Sequence, residues 1–76
     1  MKKAIGLVEI KSIPIGIETA DEMLKAANVE LIMANPICPG KYMILITGDV
    51  GAVKSSVESG KKVAGIFLVE SHVINN

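Results

Sequence analysis

The chain has no tryptophan, one cysteine, one histidine, three prolines and only two aromatic residues, Tyr42 and Phe67. Each scarcity excludes something. One unpaired cysteine supports no disulfide framework, which fits a reducing cytosol. Eight basic residues balance eight acidic ones, so no basic field exists to attract nucleic acid, and no aromatic rings interleave with the lysines to stack on bases. No apolar stretch approaches the ~18 residues of a membrane span. Lys2 and Lys3 before an apolar run faintly mimic a signal peptide, but Glu9 and Lys11 cut that run short. The sequence also lacks a Ser/His/Asp set, a CxxC pair and a phosphate-cradling glycine loop, so an enzyme is not expected. Gly48-Asp49-Val50-Gly51 lacks the lysine and third glycine of a nucleotide loop and reads as a helix entry.

What is present is aliphatic. Half of the 76 residues are apolar, chiefly Ile, Val, Leu, Met and Ala, together with seven glycines. The length gives one domain over residues 1–76, with no room for a second. A domain this short buries only roughly 60% of its unfolded-chain surface. The apolar surplus therefore points to subunit interfaces, and self-association is expected.

Ala4 to Ile10 is apolar except for Glu9 and reads as a strand buried mostly on one side. Ser12 and Pro14 mark a helix start, since a hydroxyl caps free amides and proline suits the first turn. Ile17, Ala20, Leu24 and Ala27 recur at three- and four-residue steps, which predicts a narrow apolar stripe on that helix. Glu18, Asp21 and Glu22 fall early and Lys25 late, as the helix dipole favours, and Asp21 and Lys25 form an i,i+4 pair. Val29–Ala34 and Tyr42–Thr47 read as the second and third strands. Asp49 is the expected N-cap of a second helix, with Val50, Val53 and Val57 on its inner face, Gly60 near its end, and Lys61 and Lys62 at its negative C-terminus. Ile66 to Ile74 supplies a fourth strand. The order β-α-β-β-α-β predicts an α+β, ferredoxin-like sandwich with two helices on one face of an antiparallel sheet. His72, in an apolar strand, and Glu9 and Glu70, in the first and last strands, read as structural residues.

Between the second and third strands lies Pro36-Ile37-Cys38-Pro39-Gly40-Lys41. Two prolines that fix φ, and a glycine that accepts positive φ, make a sharp turn that carries the only thiol.

Three fragments carry a family resemblance: Ala4-Ile5-Gly6-Leu7-Val8-Glu9, the run from Ala20 to Val29, and Gly48-Asp49-Val50-Gly51-Ala52-Val53. In this order and spacing the chain resembles, from about Ala4 to Ile74, the bacterial microcompartment shell-protein domain. The resemblance implies a structural tile in a cytoplasmic microcompartment shell: six domains around a pore, joined edge to edge with other shell proteins into facets that enclose enzymes. It places the pore loop at Pro36, Ile37, Cys38, Pro39 and Gly40, and the tile-edge contact at Lys25, with Asn28 supporting it. Two departures stand out. The pore loop here is not the small Gly/Ser-rich loop of ordinary hexameric tiles, and the Pro-Arg-Pro tail common after the last strand is absent.

Ile37-Cys38-Pro39-Gly40-Lys41 is more similar to the first half of the tandem-domain shell proteins of propanediol-utilisation compartments, which are trimers with two fused domains per chain. That likeness implies a 4Fe–4S cluster held at Cys38 on a threefold axis. Three copies of Cys38 leave one iron open, whereas six do not match a cubane. The resemblance implies a homo-hexamer, or a trimer if this domain is half of a tandem chain. Two other readings stay open: a small ferredoxin-like module that binds ligands between subunits, and an iron–sulfur redox carrier.

Overall fold

A computed structural model of the protein describes residues 3–37 and 39–75. Its elements are β1 (Ala4–Ile10), α1 (Ile13–Ala26), β2 (Glu30–Pro36), β3 (Tyr42–Gly48), α2 (Val50–Ala64), a single 3-10 turn (Gly65–Phe67) and β4 (Leu68–Asn75). The strands form one sheet in the order β2-β3-β1-β4, with every neighbouring pair antiparallel. This is the expected α+β, β-α-β-β-α-β arrangement, since each helix carries the chain past one intervening strand.

Side chains alternate across the sheet. Ala4, Val8 and Ile10 of β1 and Tyr42, Ile44 and Ile46 of β3 face the helices and are buried. They meet Ala20 and Met23 of α1 and Val53, Val57 and Ala64 of α2 to form the core. The second helix thus buries Val53 and Val57 as its sequence predicts, with Val50 packed at the margin.

The first helix is rotated from the expected stripe. Ile17 is 56% exposed and Leu24 is exposed too, whereas Gly16, Thr19, Ala20 and Met23 face inward. The reason is a close helix–sheet and helix–helix approach, for which large side chains leave no room. A Cβ added at Gly16 would stand 2.5 Å from Tyr42 side-chain atoms, and one at Gly60 would stand 2.7 Å from Met23 Sδ. Thr19 tolerates burial because its hydroxyl donates to the Ile15 carbonyl one turn back, at 2.7 Å. Ser56, also fully buried, donates across the helix pair to the Met23 carbonyl at 2.8 Å.

Helix ends follow local chemistry. The Ile15 amide donates to Ser12 Oγ at 3.2 Å, so Ser12 caps α1 as expected, with Pro14 in the first turn. Glu18, Asp21 and Glu22 do not lie in that first turn, because α1 begins at Ile13. Asp49 occupies the N-cap position of α2 without a side-chain cap hydrogen bond. Gly60 is inside α2 rather than near its end. The helix runs to Ala64, where Gly65, at φ +54°, donates its amide to the Lys61 carbonyl. That stop and the following 3-10 turn delay β4 to Leu68, two residues past the expected start.

The opposite face of the sheet carries no helix. Strand pairing places Met33, Leu45 and Leu7 in one apolar row across β2, β3 and β1, with Ile5 and Ile74 paired beside it. Ile5 and Ile74 are exposed there, and Ile66, in the 3-10 turn, is 91% exposed.

Candidate functional site

The turn between β2 and β3 is closed at its base. Pro36 pairs with Tyr42 across the two strands, and the Ile37 amide donates to the Lys41 carbonyl at 3.1 Å. The Tyr42 hydroxyl donates to the Ala34 carbonyl at 3.1 Å, which ties the same strand ends together from the helix side. Gly40 sits at φ +79°, and nothing lies within 4 Å of where its Cβ would be. Glycine is required there by backbone conformation and not, within one chain, by crowding. Pro36, Ile37, Pro39 and Gly40 are all exposed. Cys38, the proposed pore thiol and cluster ligand, lies outside the described residues.

Lys41 ends the turn and points onto the open face of the sheet. Its Nζ lies 3.5 Å from Glu9 Oε2, and Glu9 is only 8% exposed. Directly opposite Glu9, on β4, stands Glu70, whose Oε1 is 3.2 Å from His72 Nε2. Sequence reasoning gave Glu9, Glu70 and His72 structural roles; with Lys41 they make two neighbouring pairs, Glu9–Lys41 and Glu70–His72. The Glu9–Lys41 tie was not seen in the sequence. Its signal is a diagonal: Glu9 pairs with Met43, so Lys41, two residues earlier, shares its face.

Lys25 and Asn28, the expected edge residues, differ in setting. Lys25 is in the last turn of α1 and exposed, with its Nζ 2.8 Å from Asp21 Oδ2. The hydrogen bond and charge of Asp21, then the charge of Glu22, raise its pKa above the ordinary lysine value of 10.5. Asn28 falls beyond the helix, which ends at Ala26 with Ala27 extended. It lines a shallow cleft of about 220 Å³ with Lys3, Glu30, Thr47, Gly48 and Asp49.

Among the described residues, no three His, Cys, Asp or Glu side chains are grouped to hold a metal ion. Nor, among the described residues, is any helix long and apolar enough to cross a membrane.

Residues 4–76 match the BMC domain family. Over all 76 residues the chain is 47% identical to the bacterial microcompartment shell protein PduT of Citrobacter freundii, of which it covers 41%. It is 37% identical, over 97% of its length, to the carboxysome shell protein CcmK2 of Synechococcus elongatus, of which it covers 76%. Its fold superposes with a TM-score of 0.98 on the crystal structure of a microcompartment protein from Desulfitobacterium hafniense DCB, at 53% identity over the whole of this chain and 42% of that one. The chain thus spans about two fifths of PduT and of that solved protein. The curated relatives are shell proteins rather than enzymes. Matched in sequence over residues 4–76 and in fold over its whole length, the chain belongs to the BMC domain family, the shell-protein domain of bacterial microcompartments.

Proposed function

We propose that this domain is a structural tile of a cytoplasmic microcompartment shell, built into a six-domain ring whose axis is lined by the turn from Pro36 to Gly40. The observation that carries the reading is the BMC domain match over residues 4–76, beside the likeness of the chain to the shell proteins PduT and CcmK2. The apolar row on the open sheet face and the exposed Ile17, Leu24 and Ile66 supply surface for such packing. Two arrangements give the same ring: six copies of this chain, or three copies of a chain with a second such domain. The second is favoured by the length of PduT, of which this chain matches 41%. Lys25 and Asn28 serve the lateral contact between rings.

Sedimentation at micromolar concentration tests the ring. A six-domain mass supports it; a stable monomer removes it, and a stable dimer removes it in favour of a ligand-binding module between two subunits.

A 4Fe–4S cluster does not fit one copy of this chain. The chain carries one thiol, and the described residues provide no grouped set of other donors. Three copies would supply three thiolates, so a cluster at Cys38 belongs only to the threefold arrangement.

A further inference from the structure

Glu9 combines features that a solvated strand carboxylate does not need. It lies near the end of the inner strand β1, is 8% exposed, and has Glu70 directly opposite on β4. Like charges facing each other across a strand pair repel, and a partly buried carboxylate is costly without a cation. The cation is Lys41, 3.5 Å away, and Lys41 is the residue whose carbonyl closes the 36–41 turn by accepting the Ile37 amide. One residue therefore closes the turn with its backbone and fastens it to β1 with its side chain. Glu70 has its own neighbour in His72, on the side away from the turn, which leaves Lys41 as the only ion partner of Glu9 among the described residues.

We propose that Glu9 is the positioning residue of this turn, acting through Lys41 to set where Ile37, Pro39 and Gly40 stand relative to the sheet. That the turn borders a pore rests on the tile reading; that Glu9 holds it does not. Glu9→Gln keeps the shape of the side chain and removes its charge, which also relieves the repulsion from Glu70, so the fold should survive. The turn should nevertheless loosen.

Site-resolved hydrogen exchange on the assembled protein reads this at the Ile37 amide, with the central β1 amides as reference. Glu9→Gln and Lys41→Met should each speed exchange at Ile37 by about tenfold, between the effects of losing an exposed and a fully buried ion pair because Lys41 is partly exposed, with the β1 amides unchanged. Lys41→Arg, which keeps the cation, should retain the protection. Glu70→Gln should retain it as well, because it leaves the Glu9–Lys41 pair in place and removes the repulsion facing it. Unchanged exchange at Ile37 in both Glu9→Gln and Lys41→Met overturns the proposal. So does a rise that the β1 amides share in proportion, which marks global destabilisation. A parallel sedimentation run reports the ring separately, so loss of the tile reading and loss of the Glu9 role give different results.

Discussion

Gly16 lies flat against the ring of Tyr42, so close that a Cβ on residue 16 would stand 2.5 Å from three of the tyrosine's side-chain atoms. The contact brings α1 down on β3 beside the β2–β3 turn, and Tyr42 is the first residue of β3 after that turn. Gly16→Ala must displace a ring that is also held by its hydroxyl to Ala34. A destabilisation of about 1–3 kcal/mol is expected from the overpacking. Gly60→Ala shares with Gly16→Ala the gain of about 1 kcal/mol in helix propensity but meets the flexible Met23 side chain rather than a held ring, so its net effect should be clearly smaller. Urea denaturation of the two variants checks the order.

Ser56 donates a buried hydrogen bond from α2 to the Met23 carbonyl of α1. Ser56→Ala removes the donor and leaves that carbonyl without it, which should lower stability by about 1–2 kcal/mol. Chemical denaturation should show a lower midpoint at unchanged slope. Loss of secondary structure at the outset would mean that the serine does more than join the helices.

The order of elements was legible in the sequence because its signals are local. Ser12 and Pro14 announce one helix, Asp49 the other, and Pro36 with Gly40 the turn between strands. The buried face of α1 was not legible, because it is set by what the helix touches. Ile17 and Leu24 look like core residues until Gly16 and Gly60 are seen to bring backbones together, which leaves the inward positions to Gly16, Thr19, Ala20 and Met23. The turn was placed to within a residue, since Pro36 ends β2 and pairs with Tyr42, but its fastening through Glu9 and Lys41 depends on strand register, which no single segment encodes.

Lys25 offers a test of the edge contact that separates charge from position. Its folded pKa is raised above 10.5 by Asp21, so the pair stabilises the fold fully below the unfolded value and loses that effect as pH rises through the folded value. Asp21→Asn should bring the Lys25 pKa back down, read by nuclear magnetic resonance titration of the side chain. Lys25→Ala should leave rings intact and abolish their lateral sheets in electron micrographs. Unchanged sheets would reduce Lys25 to a solvated helix charge.

Cys38 carries the pore reading to its sharpest test. Its neighbours Ile37, Pro39 and Gly40 are exposed in the single chain, so symmetry about an axis at this turn would bring several thiols together there. Mild oxidation should then yield Cys38-linked dimers within one ring. A small thiol reagent should label the native protein without dissolving the assembly, and Cys38→Ser should prevent both outcomes while keeping the ring mass. The ring should persist because Pro36, Pro39, the positive φ of Gly40 and the Ile37–Lys41 hydrogen bond shape the turn without the sulfur. Iron and sulfide supplied anaerobically should produce visible thiolate-to-iron absorbance only if three such chains share the axis, and Cys38→Ser should lose that colour. A thiol that labels only after denaturation would remove the turn from the axis. It would do so even in a ring of the expected mass, because ring formation and the choice of axis-lining residues are separate properties.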